Sequence, residues 1–572
     1  AGQQRDPAEG ACGARFAAAG SASARLAADY MERASVTADQ LTSSERRALE
    51  PYFTNLDGPV FALVNLAETV KGALFARYSR SPKSLRRLFL DEFLPEVRGG
   101  EGAAPPAEGV GERRAEQLYA RVFSDYGDDS VAQLGGVHLA CEDVSNILTK
   151  VLEWGRLMAY LEQSTRYIPY TQQRGGRWRY HVPAELDAAP ALRQRFVATL
   201  DDAFARYERW IEPMQAHFRE RYPKEPADSD PVYRSAIRAK ALDTLRGMLP
   251  AATQSNVGIY GTGQAYEALL LRMRAHPLAE VRQFADLMLI ELRKVIPAFL
   301  TRVDQADRGI LWSRYLREGR EHTVSVARRV TGGAAAADRP EVTLSEFDPE
   351  GEIKVAAAAL YAASRLPDDQ CLAVARAMSA DERAELFRAY VGERRNRRHK
   401  PGRAFERTRY RFDVLADYGA FRDLQRHRML TLEWQPLSTR HGYVEPDAIR
   451  AAGALDDWQH VMDGSADLYE ALAGAGLLDV APYAVAMAYR VRFYMDMSAR
   501  EAMHVIELRT APQGHPSYRR VCQQMHRLIA ERAGHRAIAD AMRFADHSEV
   551  ELERLRAERK AEDRRQKAEG RR

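Results

Sequence analysis

Three consecutive residues, Arg426, His427 and Arg428, carry the most concentrated chemistry in the chain. In an extended segment side chains alternate, so the two arginines point one way and His427 the other. Two guanidinium forks on one side suit a pyrophosphate, which they grip bidentately, or an electron-rich planar ring, on which they stack. A surface basic run is the competing reading of the tripeptide taken alone, because arginine is abundant throughout. The preceding segment, RTRYRFDVLADYGAFRDLQ, alternates apolar and polar residues and then turns amphipathic, so the triplet closes a structured element. Ser438, Thr439 and Arg440 follow at short range. A hydroxyl, a guanidinium and a nearby carboxylate are what a nucleotide monophosphate and its base require.

A related arrangement stands earlier. Trp154-Gly155-Arg156 is followed by LMAYLEQ and Ser164-Thr165-Arg166, just as Arg426-His427-Arg428 is followed by MLTLEWQPL and Ser438-Thr439-Arg440. Further on, each half has a helical stretch ending in Leu-Arg, Leu271-Arg272 in the first and Leu508-Arg509 in the second. Two matches in the same order point to an internal duplication.

Arg-His-Arg, a short interval and then Ser resembles the signature of the flavin-dependent thymidylate synthases. In that family seven residues intervene, the Ser is followed by X-Arg-Tyr, and a Glu stands two positions before it. The first half resembles this pattern from Arg156 onward: seven residues separate it from Ser164, and Glu162, Arg166 and Tyr167 stand at matching places. Trp154 and Gly155 replace the first Arg and the His. The resemblance implies that Glu162, Ser164 and Arg166 contact deoxyuridine monophosphate (dUMP). Gly127–Gln133 resembles the family's Gly-His-X-Ser/Thr-X-X-Glu with the His and Glu replaced, and Leu245–Pro250 is similar to its Ala-Arg-X-Val-Leu-Pro, which makes Arg246 a nucleotide contact. Arg272 matches a later nucleotide-binding Arg, whereas Gly261-Thr262-Gly263 occupies the place of a flavin-contacting Asn-X-Arg.

The second half departs in the opposite sense. Its triplet is intact, and Glu406, Arg500 and His504 fall at flavin-contacting positions, with Ser498 where the family has Asn. Nine residues rather than seven separate Arg428 from Ser438, His441-Gly442 follows Ser438-Thr439-Arg440, and no Arg precedes Val480-Ala481-Pro482. Ser79 lies near a flavin-contacting Ser of the family, in a basic stretch that otherwise reads as a solvated turn.

The resemblance implies an α+β fold, helix-rich, in two tandem domains each built around a twisted sheet. It also implies reductive methylation of dUMP at C5, with methylenetetrahydrofolate giving the carbon and an NADPH-reduced FAD giving the hydride. Arg426, His427, Arg428, Glu406, Arg500, His504 and Ser79 would hold the flavin. Glu162, Ser164, Arg166, Arg246 and Arg272 would hold the nucleotide, and Arg156, Ser164 and Arg428 would stand nearest the chemistry. The family is active as a homotetramer with sites between subunits, so a homodimer of a tandem chain could imitate it. The rivals are a binding protein that kept the fold and lost turnover, and a flavoenzyme acting on another pyrimidine.

These residues need elements to hold them. At 572 residues the chain is too long for one ordinary core. Periodicity predicts helices over Arg193–Phe218 and Glu280–Phe299, the latter with a buried stripe of Val281, Phe284, Leu287, Met288, Ile290 and Leu292. Strand candidates are Gly58–Asn65 and Tyr410–Leu415. The expected divisions are a disordered leader (1–45, with one short helix near Ala22–Ala34), a first domain (46–330), a Gly/Ala/Pro-rich linker (331–354), a second domain (355–548) and a charged, fraying helical tail (549–572).

With 84 basic against 80 acidic residues the net charge is +4, too small for a general polyanion surface, and the mixed signs of the tail argue against nucleic acid there. Four scattered cysteines without a CxxC pair exclude a zinc ribbon, so no metal site is expected, and they point to a reducing, cytoplasmic setting. No apolar run approaches the length of a membrane helix.

Overall fold

The computed structural model describes residues 41–57, 60–79, 81–94, 133–166, 168–226 and 228–552, with Leu555, Arg559, Glu562 and Asp563 beyond them. The short helix near Ala22–Ala34, most of the Gly127–Gln133 motif, Tyr167 and most of the charged tail lie outside these residues. Within the stretch read as leader, the described residues 41–45 are ordered rather than disordered, because Thr42 opens a helix, α1 (Ser43–Leu49), through reciprocal hydrogen bonds with Glu45.

Packing divides the chain into two units: residues 1–139, 260–272 and 286–314 contribute to one, and 140–259, 273–285 and 315–572 to the other. In the first, α1 and α2 (Glu68–Tyr78) surround Leu49, Phe53, Leu74 and Phe89, with Phe53 edge-on to Phe89 at 5.5 Å. The expected strand at Gly58–Asn65 does not form over its described residues, 60–65. Among its described residues Leu63 makes a single bridge to Phe53, the Ala62 amide donates to the Thr54 hydroxyl, and Asn65 turns to a φ of 53°. Val64 donates to the Tyr52 carbonyl at 2.9 Å and Ala62 accepts from the Thr54 amide, so the pairing with residues 52–54 stops at one bridge and does not grow into a ladder.

The remaining elements repeat. β1 (Gly136–Ser145), α3 (Asn146–Leu152) and β2 (Met158–Glu162) follow one another in the first half. Two long helices, α4 (Pro190–Arg221) and α5 (Asp230–Leu245), come next. β3 (Gln254–Thr262) then enters α6 (Gly263–Arg274), followed by α7 (Ala279–Arg293) and α8 (Gly309–Thr331). After β4 (Val342–Phe347) and α9 (Gly351–Ala363), the series recurs as β5 (Arg409–Asp417), α10 (Tyr418–Leu424), β6 (Leu430–Trp434), one long helix α11 (Leu455–Gly474), β7 (Arg490–Ser498) and α12 (Ala499–Arg509), closed by α13 (Pro516–Glu531).

Both short helices have seven residues, both following strands five, and β3 and β7 nine each. The sheet orders are β1-β3-β2 and β4-β5-β7-β6, so in each half the third strand of the series inserts between the first two. The chain is thus an α+β protein, mostly helical, built from two copies of one module.

Side-chain alternation explains the second sheet. Tyr410, Phe412, Val414 and Ala416 of β5 and Val491, Phe493, Met495 and Met497 of β7 are buried, and the two strands pair antiparallel in unbroken register from Arg409 opposite Ser498 to Asp417 opposite Arg490. The linker needs correction: Val342–Phe347 pairs with β5 because Val342 and Leu344 alternate inward, and Gly351 begins a helix, so the connection without regular structure is short. Leu287 and Ile290 are exposed, not buried. α7 presents Val281, Ala285, Met288 and Leu292 inward, and the two predicted positions fall off that face. Glu549–Leu552 of the expected tail helix are not helical. Among the described residues no helix is long and apolar enough to cross a membrane.

Candidate functional site

The repeat puts both triplets in one structural place. Trp154–Arg156 lies in the turn between α3 and β2, and Arg426–Arg428 lies in the turn between α10 and β6. The extra two residues of the second half therefore fall after β6, before Ser438.

α10 delivers the charged side chains. Asp417 caps it by accepting from the Ala420 amide at 2.9 Å, and the helix then carries Arg422, buried, and Asp423, half-buried, with Arg426 one turn beyond. Asp423 has Arg509 at 3.6 Å and Arg246 and Arg426 each at 4.0 Å. Burial would raise its carboxyl, but Arg426, Arg509, Arg246 and Arg166 hold it down to about 2. Gly419 makes room: a Cβ there would stand 2.8 Å from Nη2 of Arg246.

Glu162, at the end of β2, is the second buried anion. It accepts from Arg422 at 2.6 Å, from Lys150 at 3.3 Å and from Arg426. Burial alone would push its carboxyl up, yet Arg422, Lys150 and Arg426 keep it well below the usual carboxylate range. Lys150 also donates to Glu153 at 2.6 Å, and burial raises that second carboxyl. Arg166 is gripped by Asp243 through Nε at 2.7 Å and Nη2 at 2.6 Å, with the Tyr518 hydroxyl at 3.3 Å from Nη1. Beside it, Arg219, Arg234, Arg238 and Tyr233 line a cavity of about 570 Å³ between α4 and α5.

A third cluster forms around His427. Nε of Arg509 donates to its Nε2 at 2.9 Å, so the ring proton sits on Nδ1, 3.7 Å from Glu501. The His504 ring stands 5.4 Å away, edge-on. Burial and neighbouring cations hold His427 well below its ordinary value and His504 down to about 4, so both rings are neutral at pH 7. His427, Glu501 and His504 bring ligand atoms within 4.8 Å of one another. Arg509 already occupies one His427 nitrogen, and Lys400, Arg428 and Arg500 act on Glu501, so the surroundings suit an anion rather than a metal cation.

Burial lifts Glu501 to about 7, against the pull of Lys400, Arg500 and Arg428. Its folded value lies above the unfolded one, so between the ordinary glutamate range and pH 7 the native state holds the extra proton, and stability should fall as pH rises through that window. Glu501→Gln should flatten the slope; urea midpoints measured from pH 5 to 8 check it, and an unchanged slope would remove Glu501 as its source.

Of the residues expected from sequence, Glu162, Arg166, Arg246, Arg426, His427, Arg428 and His504 come together in one unit. Arg428 donates to the Met158 carbonyl, and Arg500 lies 3.5 Å from Glu406 at its edge. Ser164 accepts from the Arg166 amide at 3.2 Å. Arg156 reaches the Thr431 hydroxyl at 3.0 Å, and Trp154 donates to the Leu432 carbonyl and meets Trp434 edge-on at 5.9 Å. Ser79 and Arg272 belong to the other unit, where Ser79 donates to the Ala76 carbonyl and Arg272 lies on α6. Sequence reasoning missed Lys150, Asp243, Arg422, Asp423, Glu501 and the role of Arg509. The available signal was the charge density of FRDLQRHR, whose Arg422 and Asp423 interrupt an otherwise apolar helix face.

Residues 86–298 and 343–533 match one family model, described as thymidylate synthase complementing protein. A UPF0159 protein of Chlamydia pneumoniae is 36% identical over 527 residues, which is 92% of this chain and 98% of that one. A flavin-dependent thymidylate synthase of Mycobacterium marinum is 28% identical over 181 residues, 32% of this chain and 66% of that one. Among solved structures, the UMP/dUMP methylase PolB from Streptomyces cacaoi, bound with 5-Br dUMP, shares 19% identity and covers 36% of this chain and 96% of its own, with a TM-score of 0.28.

Proposed function

This chain belongs to the thymidylate synthase complementing protein family, and we propose that it methylates dUMP to dTMP, with FAD as cofactor, methylenetetrahydrofolate as carbon donor and NADPH as reductant. Support comes from one convergence: Arg426 and Arg509 from the second half and Arg246 from the first surround Asp423, while Glu162 binds Arg426. Nη2 of Arg246 and Nε of Arg426 are buried and make no hydrogen bond among the described residues, which fits a site that awaits anionic ligands. A bound, reduced FAD would supply the hydride that completes the methyl group.

The chain's own residues bind and orient. Arg426, His427 and Arg428, with Arg500, His504 and Glu406, hold the flavin's phosphates and ring. Arg246 takes the nucleotide phosphate and Ser164 faces the base, while Glu162, buried and held by Arg422, Arg426 and Lys150, positions those cations. Arg166, saturated by Asp243, is a positioning residue. Neutral His504 and His427 leave the local positive charge to the arginines and Lys400, which attract phosphate, with Glu501 beside them the group that titrates near neutrality.

Tritium at C5 of dUMP should be released to water when FAD, NADPH and methylenetetrahydrofolate are supplied together, and retention of the label under these conditions would sink the reaction. Arg246→Ala should weaken dUMP at least tenfold in calorimetric titration while the flavin stays bound, since one charge-assisted hydrogen bond is worth about 1.5–3 kcal/mol. Equal affinity in that variant would remove Arg246 from the phosphate site.

One observation favours a second reading, a nucleotide- or flavin-binding protein without turnover: Glu162 and Arg166 both spend their polar atoms within the chain. Flavin binding with no tritium release from any pyrimidine nucleotide would select it.

A further inference from the structure

α8 lies between the two segments that match the family and outside both. It is long, 23 residues, yet from Ile310 to its end none of its residues is buried. A helix of this length in water draws little stability from its backbone alone and relies on burying a face. Two separate faces can be told apart on it. Arg317, Arg320, Val324 and Arg328 line a groove of about 920 Å³ along their own chain, and Arg320 donates to the Ala275 carbonyl at 2.7 Å. Roughly a third of a turn away runs a row that lines no part of that groove, with Leu316 half-buried and the others exposed: Trp312, Leu316, Gly319, Thr323, Val326 and Val330.

The steps along that row are four, three, four, three and four residues, the heptad spacing of a packed helix pair. Read backwards, the steps are the same, so the row is symmetric about Glu321. An antiparallel copy related by a two-fold axis there meets it in register. Trp312 of one helix falls against Val330 of the other, Leu316 against Val326, and Gly319 against Thr323. Large residues thus face small ones at the ends, and two small residues face each other at the centre, where backbones approach most closely. Thr323 spends its hydroxyl on the Gly319 carbonyl at 2.7 Å and keeps its methyl for packing.

Trp312 is 55% exposed and Val330 73%, surface that an isolated helix leaves in water. Two such rows would bury on the order of 1,000 Å², the lower bound for a specific interface. We propose that this chain forms a two-fold homodimer through antiparallel pairing of α8, a contact added to the family module rather than inherited from it.

Light scattering on the full chain should give twice the chain mass. Trp312→Glu/Val326→Glu should halve that mass with unchanged circular dichroism, since both positions are exposed in the single chain and a charge on the row would be buried without a partner. Gly319→Cys/Thr323→Cys should cross-link between chains on mild oxidation, because antiparallel pairing brings residue 319 of one copy to 323 of the other. A monomeric wild type overturns the proposal. So does a dimer that withstands the glutamate pair, or one whose cysteines fail to cross-link.

Discussion

Glu162→Ala is expected to destabilise the protein by about 3–5 kcal/mol, the cost of removing one partner from a buried ion network. Glu162 is buried and faces three cations, Arg422, Arg426 and Lys150. Arg422 and Lys150 are themselves buried. Without the carboxylate, Arg422 would have no carboxylate partner among the described residues, and Lys150 would keep Glu153 alone. Glu162→Gln preserves shape and hydrogen-bonding oxygen but not charge, so it should lose a smaller share. The pH dependence has a definite sign. The folded carboxyl titrates below its unfolded value, so its contribution is complete above the ordinary glutamate range and is lost as pH falls beneath it. Urea midpoints of wild type and Glu162→Ala should therefore converge on acidification. A loss under about 1 kcal/mol at pH 7 would mean that water or Glu153 replaces the carboxylate.

Local patterns made much of this architecture legible. β5 announced itself through the alternation of Tyr410, Phe412 and Val414, and α4 through its three- and four-residue repeats, because burial of one face selects those spacings directly. The duplicated triplets were legible because each occupies the same turn of the same module. The failures have physical causes too. Gly58–Asn65 has strand composition, but its described residues meet only the short segment 52–54, through a single bridge that does not extend into a ladder. Val342–Phe347 sits amid Gly, Ala and Pro, and what makes it a strand is the open edge of β5, about seventy residues away. The site was half legible for a related reason. Arg426 could be read from its motif, whereas Asp423 matters only because Arg246, from the other half, comes within reach of it. Arg166 illustrates the limit most clearly: its place in the motif was readable, and its capture by Asp243, 77 residues on, was not.

One flavin per chain is expected at saturation, held by the second half's turn. Arg426 and Arg428 line that turn, with His427 locked by Arg509 and with Arg500 and Lys400 near Glu501 beyond it. The equivalent turn of the first half offers Trp154, Gly155 and Arg156. There the Trp154 indole bonds the Leu432 carbonyl and packs on Trp434, and Arg156 is engaged by Thr431, so the place is filled by the chain's own side chains. It lacks two of the three polar side chains of the triplet, and each lost charge-assisted bond costs about 1.5–3 kcal/mol. Two such losses weaken a ligand by roughly a hundredfold to ten-thousandfold, enough to leave the first turn empty at micromolar flavin. Arg426→Ala/Arg428→Ala should then abolish flavin retention through gel filtration. Trp154→Ala, by contrast, should leave the ratio at one, because vacating the first turn restores no cation. Flavin released by denaturation, measured against protein concentration, gives the ratio directly. A value near two in the wild type would mean that both turns bind, and full retention in the double arginine variant would place the flavin elsewhere in the fold.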